Sequence, residues 1–376
     1  MTDRITLILA GGNALGAYEA GAYETLHQRG LYPGQFVAVS TGAINAALIA
    51  GNPPEKRVDS LRRFWAMVSQ DMAAWVLGPA YWSTALDSGR ARIMQCALLG
   101  SAGIYHPRFP GALSMLPGMP TDKSLYDLSP LREQLKKAVD FGRLNSGETR
   151  MIVVTVDAHS GEEVRFDTTE GPIEVDHLLA SCGFLPFFPP VEIAGRLLVD
   201  GAMSSNLPLE ATLEEHVAED RLCIALDLLR RQNDGVHTVG QAVDRQLELL
   251  LSSQTWKALK NLRQVHELRR QLRLLGDRLP AEVRTDPALA PALAEGEKLG
   301  GGTTLLLLSH TSVPHDTELR AFDFSRPVLT ERWESGRADM ARALQELGSR
   351  RAAPGEFVVR TFSGGESREL QGADIS

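Results

Sequence analysis

Cysteine, aromatic residues and positive charge are all scarce in this sequence. Its 376 residues include three cysteines, Cys96, Cys182 and Cys223, and aromatic residues account for 6%. Three scattered cysteines cannot build a disulfide framework or a closed zinc site, so we expect free thiols in a reducing compartment. Asp and Glu (47) outnumber Lys and Arg (39), which gives a net charge of −8. This acidic balance argues against a nucleic-acid partner.

Long apolar runs are missing as well. The apolar run near the N-terminus spans residues 5–10 and stops at two glycines. A membrane-spanning helix needs about 20 apolar residues, and a signal peptide needs a basic start before a longer apolar stretch. We therefore expect a cytoplasmic protein, with peripheral contact as the closest association it makes with a membrane.

Apolar runs alternate with helical patterns in the first part of the chain. Residues 5–10 and 36–40 read as buried strands, and helical spacing follows at 14–29 and 42–50. Strands that are apolar on both faces and alternate with helices are typical of a parallel sheet covered on both sides. We therefore predict a three-layer α/β/α fold with a parallel-rich central sheet. Further strands are predicted at 151–157, 163–166, 197–199, 222–227 and 303–308.

The chain divides by composition into three parts. Residues 1–230 are predicted to form the α/β core, and residues 231–360 a helical C-terminal elaboration with at least one strand. That elaboration begins with a long polar helix at 238–275, and a last helix follows at 328–347. Residues 361–376, rich in Ser, Gly and Glu, are predicted to be a flexible tail.

Ser40 is the first candidate for chemistry. It follows a buried strand and precedes a helix of small residues, with Ala38 two positions before it and Gly42 two positions after. This is the pattern of a nucleophile elbow, in which a sharp turn lifts a serine to the carboxyl edge of a sheet. The alternative is a serine that caps the following helix.

A glycine-rich turn follows the first strand. Gly11, Gly12 and Asn13 open a helix that continues through Gly16, so their N–H groups and the helix dipole suit a negative oxygen. That oxygen could belong to a phosphate or to the oxyanion of an acyl transfer. Asn13 takes the place of the second obligatory glycine of a dinucleotide-binding motif, and no P-loop lysine follows.

Asp200 ends a predicted strand and is followed by Gly201. We expect its carboxylate at the carboxyl edge of the parallel sheet, where open α/β folds bind ligands. A carboxylate within reach of a serine hydroxyl can accept its proton, which makes a two-residue catalytic device. The alternative is an aspartate that bonds to its own turn.

Together these motifs resemble the patatin-like phospholipases, of the bacterial branch with an extra C-terminal region. The resemblance lies in the glycine-rich loop at 9–21, the nucleophile segment at 39–47, the segment at 180–191, and Asp200-Gly201 with Asn206-Leu-Pro208 behind it. It implies that Ser40 is the nucleophile, Asp200 the general base, and the turn at 11–13 the source of oxyanion donors. It also implies a lipid acyl ester as substrate, and neither a cofactor nor a metal.

Two departures from the family pattern leave another hypothesis open. Ala38 replaces the first glycine of the elbow, and Asn13 stands where the third loop glycine usually lies. A weakened or inactive member that binds lipid or protein is therefore the alternative function. An NAD(P)-binding domain is a weaker alternative, because the second glycine of its motif is absent.

The remaining aromatic and charged features favour structural roles. Trp65, Trp75 and Trp82 fall within residues 65–82, where we favour a core segment over a lid or a lipid-facing patch. The basic run at 257–273 reads as a solvated helix face, with contact to anionic headgroups as the alternative. None of the histidines, including His159, His216, His266 and His310, lies beside a motif, and the sequence does not indicate an oligomeric state.

Overall fold

The computed structural model describes residues 4–69, 93, 96–101, 103–215, 217–232, 235–311, 313–314, 316 and 319–370. The strands are β1 Arg4–Leu9, β2 Gln35–Ala38, β3 His106–Pro107, β4 Tyr126–Asp127, β5 Arg150–Asp157, β6 Glu163–Asp167, β7 Val191–Ile193, β8 Arg196–Asp200, β9 Arg221–Asp227, β10 Thr303–Ser309, β11 Phe357–Ser363 and β12 Glu366–Glu369. The helices are α1 Ala17–Gln28, α2 Thr41–Ala50, α3 Arg57–Val68, α4 Ser129–Ala138, α5 Phe141–Leu144, α6 Val175–Ser181, α7 Glu210–Leu213, α8 Val239–Arg278, α9 Ala281–Arg284, α10 Ala290–Glu297 and α11 Arg326–Leu347.

A mixed, mostly parallel sheet forms the centre of the fold. Its strands pair in the order β12-β11-β10-β9-β1-β2-β5, and β5 also pairs with β6 along one edge and with β8, the partner of β7, along the edge it shares with β2. The strands from β11 to β5 run parallel, whereas β6, β7, β8 and β12 pair antiparallel. Alternate residues of β1 enter two separate apolar clusters, Leu7 and Leu9 one and Ile8 the other, so both faces are covered. The predicted fold class is confirmed.

The C-terminal region packs directly onto the core. Helix α11 crosses α1 at a pair of glycines, where the two backbones are in close contact. A Cβ on Gly21 would lie 1.9 Å from the Trp333 carbonyl oxygen, and one on Gly336 would lie 2.0 Å from that of Tyr18. Any larger residue at either position would separate the helices, so the sequence requires glycine there. The long helix predicted at 238–275 is present as α8.

The prediction of a flexible tail from residue 361 is wrong for residues 361–369. Strand β11 continues to Ser363 and pairs with β10 in parallel, and β12 returns antiparallel along β11. Gly364 and Gly365 make the connecting turn with φ of 59° and 88°, which glycine adopts freely. A polar segment is ordered here because the edge of the sheet supplies its backbone hydrogen bonds. Residues 371–376 lie outside the described residues.

The predicted core segment at 65–82 can be examined at one of its three tryptophans. Trp65 is buried and donates its indole N–H to Asn45 Oδ1 at 3.0 Å, as a core residue does, whereas Trp75, Trp82 and His216 lie outside the described residues.

Across the described parts of the chain, no helix combines the length and the apolar character needed to cross a membrane.

Candidate active site

Ser40 occupies a strained turn between β2 and α2. Its φ of 54° and ψ of −123° lie in a region that side-chain-bearing residues rarely adopt. Gly42 allows this turn to pack closely against β1. A Cβ on Gly42 would lie 2.7 Å from the Leu9 carbonyl oxygen, so α2 starts directly against β1. Ala38 is fully buried in the apolar cluster, which accommodates the methyl group that replaces the family's glycine.

Ser181 fixes the same turn from the opposite side. Its hydroxyl accepts a hydrogen bond from the Ser40 N–H at 2.9 Å and donates one to the Val154 carbonyl at 2.8 Å. The side chain is fully buried, so these bonds are shielded from water. Sequence reasoning did not assign this residue, although the segment around it was part of the family resemblance.

Asp200 reaches Ser40 by a route that differs from the prediction. Strand β8, which ends at Asp200, runs antiparallel to β5, so Asp200 does not end a parallel strand. Both β6 and β8 pair with Thr155, and both β6 and β2 pair with Val153. A strand has two edges, so β2 and β8 share the edge of β5 that faces away from β6.

The two strands therefore approach each other end to end along β5. Strand β2 pairs with Arg150–Val153 of β5, and β8 pairs with Thr155–Asp157 of β5 while running in the opposite direction. Their facing ends carry Ser40 and Asp200. Close backbone contact is required at this junction, because a Cβ on Gly201 would lie 2.5 Å from the Val154 carbonyl oxygen.

The Asp200 carboxyl group is buried, and within the described part of the chain no cation lies beside it. Burial raises its pKa to about 7, while the Ala202 N–H, 2.9 Å from Oδ1, and the Ser40 side chain within hydrogen-bonding reach lower it. Cys182 lies beside the same pair. Burial and the nearby Asp200 charge raise the pKa of its thiol, and contact with Ser40 lowers it. A carboxyl group poised near neutral pH beside a serine hydroxyl can accept and return a proton.

The glycine-rich turn lies against Ser40. A Cβ on Gly11 would lie 3.2 Å from the Ser40 Cβ, which explains the need for glycine. However, the Gly11 N–H donates to the Asn206 carbonyl at 3.1 Å, and the Gly11 carbonyl accepts from Asn206 Nδ2 at 3.1 Å. The expectation that Gly11 supplies an oxyanion donor is therefore wrong, because its N–H is already bonded.

Gly12 and Asn13 remain as candidate donors in this turn. Neither backbone N–H has a hydrogen-bond partner within the described residues. Asn13 has a φ of 52°, a region that asparagine tolerates better than other side-chain-bearing residues. Its Nδ2 is buried and without a partner in the same described set. Gly16 completes the turn, since a Cβ there would lie 2.5 Å from Thr41 Oγ1.

These residues line one apolar cavity, which measures about 900 Å³ including the space open to solvent. Ser40, Asp200, Gly12 and Asn13 lie on its polar side. The rest of the wall is mainly aliphatic and aromatic and includes Phe64, Trp65, Phe184, Phe187 and Phe188. The C-terminal region adds a further part of the wall: Leu247, Leu251, Ala321, Phe322 and Phe324. A small polar site inside an apolar cavity suits a substrate with one polar bond and a long apolar group.

Buried ion pairs hold the C-terminal part of this wall. Arg320 pairs with Glu248 of α8, and Arg332 Nη2 lies 2.8 Å from Asp316 Oδ1. Arg332 also donates to the carbonyls of Arg320 and Asp323, on either side of the wall residues Ala321 and Phe322. All of these side chains are almost completely buried, so the segment is attached firmly to both α8 and α11.

No histidine lines the cavity within the described residues. His310 is fully buried against Tyr18, with ring centroids 4.8 Å apart, and burial lowers its pKa to about 3. His159 and His266 lie away from the cavity wall. Within the described residues, no group of three or more His, Cys, Asp or Glu side chains could hold a metal ion.

Comparison with family models shows which family the chain belongs to. A family model described as patatin-like phospholipase matches residues 7–213 of the sequence. The chain belongs to the patatin-like phospholipase family. A second family model, described as patatin phospholipase, matches residues 250–355, so the C-terminal region of this patatin-like protein also has relatives of its own. The resemblance stated from the motifs is confirmed, and no curated protein matches this chain.

Three solved structures show more distant similarity to this patatin-like protein. VipD from Legionella pneumophila shares 13% identity over 92% of this chain and 67% of its own, with a TM-score of 0.42. Human GIVD cytosolic phospholipase A2 shares 13% over 59% and 43%, with a TM-score of 0.32. The ExoU–SpcU complex of Pseudomonas aeruginosa shares 16% over 69% and 52%, with a TM-score of 0.29. Similarity this low transfers no residue role.

Proposed function

We propose that this protein is a serine acyl hydrolase of lipid esters that uses Ser40 and Asp200 as a catalytic dyad. The observation that carries the proposal is the buried Asp200 carboxyl group, whose pKa burial raises to about 7, beside a serine held in a strained turn. Both groups lie on the polar side of an apolar cavity. The family implies the same activity class.

The first step is acyl transfer to the protein. Ser40 Oγ attacks the carbonyl carbon of the ester, and its proton moves to the Asp200 carboxylate. The tetrahedral oxyanion accepts hydrogen bonds from the N–H groups of Gly12 and Asn13. When the ester C–O bond breaks, Asp200 returns the proton to the departing alcohol oxygen, which leaves an acyl group on Ser40.

The second step is hydrolysis of that acyl group. Water attacks the same carbonyl carbon, and Asp200 accepts the proton of the water. The Ser40–acyl bond breaks, the proton returns to Ser40 Oγ, and a carboxylic acid is released. The substrate class is a fatty-acyl ester, because the aliphatic and aromatic wall of the cavity can bury an acyl chain.

A fluorophosphonate probe tests the proposal directly, since it labels only activated serines. Intact-mass analysis of the wild type should show one adduct, and Ser40→Ala should show none. Ser129→Ala, a change to an exposed serine on α4, is the matched control and should label like the wild type. An adduct that persists in Ser40→Ala would place the nucleophile elsewhere.

A non-catalytic binding protein is the alternative, and Asn13 is the observation that favours it. The third loop position carries a side chain at a φ of 52°, where the family usually has glycine. This alternative predicts no adduct on a folded wild-type protein, together with retained binding of long-chain fatty acid in the cavity. Isothermal titration with oleate on the same sample measures that binding.

A further inference from the structure

One loop of this protein exposes an unusual amount of apolar side chain. Residues 109–121, hereafter the apolar loop, contain no charged residue. Within it Phe109 is 82% exposed, Met115 77%, Leu116 55% and Leu113 45%. Single exposed apolar residues are common on soluble proteins, but four in one short segment mark an interaction site.

The apolar loop is held in shape by its base. Arg108 Nε lies 2.9 Å from Asp122 Oδ1, so the charges on either side of the loop neutralise each other. The Gly111 N–H donates to Asp122 Oδ2 at 3.3 Å, and the Arg108 N–H donates to the Leu125 carbonyl at 3.0 Å. Burying this ion pair near a low-dielectric surface costs less free energy than burying either charge alone.

The base of the apolar loop is also bonded to the wall of the cavity. The Leu125 N–H donates to the Pro186 carbonyl at 3.1 Å, and the Tyr126 N–H donates to the Phe187 carbonyl at 2.9 Å. Phe187 lines the cavity that contains Ser40. Leu185, one residue before this contact, is itself 38% exposed. The exposed loop and the acyl cavity therefore share one wall.

We propose that the apolar loop inserts into the surface of a lipid bilayer and so places the cavity next to its substrate. The choice of a lipid surface rests on the proposed function, because long-chain acyl esters reside in such surfaces. The composition agrees. Phe, Leu and Met are typical of side chains that enter the headgroup region, whereas the Tyr, Trp and Arg that anchor protein interfaces are absent from the loop.

The charge of the protein indicates how this insertion is driven. With a net charge of −8, overall electrostatic attraction to anionic lipid is not expected. Several basic residues of the run at 257–273 are already paired, such as Arg270 with Glu267 and Arg269 with Glu295. Binding should therefore occur on uncharged phosphatidylcholine vesicles and change little with salt.

Co-sedimentation with phosphatidylcholine vesicles tests this proposal without using catalysis. The parent is the full-length Ser40→Ala protein, which prevents any hydrolysis of the vesicles. In that background, Phe109→Ser with Met115→Ser should weaken partition by roughly tenfold or more, because two exposed apolar side chains are lost. Val239→Ser with Leu268→Ser, at 82% and 58% exposure on α8, is the matched control and should bind like the parent.

Three results would overturn the proposal. One is equal partition of the loop variant and the parent, with both folded by thermal unfolding. Another is binding of the parent to anionic vesicles only, with loss of binding at 0.5 M salt. A third is a loop variant that changes the oligomeric mass, measured by light scattering, but not the partition. This result would indicate that the loop is a protein-contact surface. Since every arm uses Ser40→Ala, failure of the dyad would leave these outcomes unchanged.

Discussion

Asp200 and Asp316 are two buried carboxyl groups with opposite environments. Among the described residues no cation lies beside Asp200, and burial raises its pKa to about 7. Burial also acts to raise the pKa of Asp316, but the charges of Arg332 and Arg320 more than offset it, so that pKa lies below its usual value. The same residue type is therefore kept ready to exchange a proton in one place and permanently charged in the other.

A raised pKa alone does not identify the catalytic group. Burial also raises the pKa of Asp227, at the end of β9, to about 7. That carboxyl group accepts the Leu229 N–H at 3.1 Å, but it does not line the cavity. Asp200 differs from Asp227 in its neighbour, the Ser40 side chain. The comparison teaches that a raised pKa together with an adjacent serine is a stronger indication of a catalytic group than a raised pKa alone.

The largest expected effect is the loss of activity in Asp200→Asn. An amide cannot accept the proton of Ser40, so kcat/KM for a soluble ester should fall by roughly 10²–10⁴-fold. Asp227→Asn is the matched control, since it removes a carboxyl group of the same burial and similar pKa. Equal losses in the two variants would show that Asp200 acts structurally and not as the base.

Removing Arg332, the main cation beside Asp316, should lower the stability of the protein. Arg332→Met leaves Asp316 charged and buried without its main partner, which should lower the free energy of unfolding by about 3–5 kcal/mol. Urea unfolding of the full chain measures it. Arg270→Met, which breaks an exposed pair with Glu267, should change stability little. The comparison between the two sites fails if both variants unfold alike.

The pH dependence should separate the two carboxyl groups. Because Asp200 must be deprotonated to act as base, kcat/KM should reach a plateau above pH 7 and be roughly tenfold lower at pH 6. A pH series from 5 to 9 on a soluble ester measures this. A flat profile down to pH 5 would exclude a base whose pKa lies near 7.

Over the same pH range, the ion pair of Asp316 should keep the protein folded. The lowered pKa of Asp316 makes its ion pair stabilising above the unfolded-state pKa of about 3.9, and this contribution is lost only as the pH falls through the lower folded value. The raised pKa of Asp200 instead makes its charge destabilising as the pH rises towards 7. The protein should therefore remain folded at pH 6, so that the loss of activity there reports on Asp200.

The smallest expected effect is that of Asn13→Gly. Glycine adopts a φ of 52° freely and keeps the backbone N–H, so the rate of fluorophosphonate labelling should stay within about tenfold of the wild type. Asn13→Ala should label more slowly than Asn13→Gly, because alanine is strained at that φ. A large gain of activity in Asn13→Gly would instead support the hypothesis of a weakened family member.

Much of the core could be predicted from local patterns. Residues 5–10 and 222–227 read as buried strands because each has only one residue that is not apolar, and they pair as the neighbours β1 and β9. The tail could not be predicted in this way. Residues 361–369 contain one apolar side chain, that of Phe362, and they form strands because the edge of β10 offers backbone hydrogen bonds to β11 and the edge of β11 offers them to β12.

The candidate site shows the same division. The turn at Ser40 could be predicted because a strand, a small-residue helix and Gly42 follow one another in the sequence. The engagement of the Gly11 N–H by Asn206 and the support from Ser181 could not, because each joins residues far apart in the chain. A sequence motif does not reveal such a contact, because its two partners become neighbours only in the folded chain.

The sequence by itself determined the residue types, the order of the main core strands and helices, and the family of this protein, because these depend on local spacing and apolar periodicity. Only the tertiary structure decided that β8 meets β2 end to end along β5, which brings Asp200 to Ser40. It also decided the character of each buried carboxyl group. A pKa depends on burial and on nearby charges, and both arise from packing between distant segments.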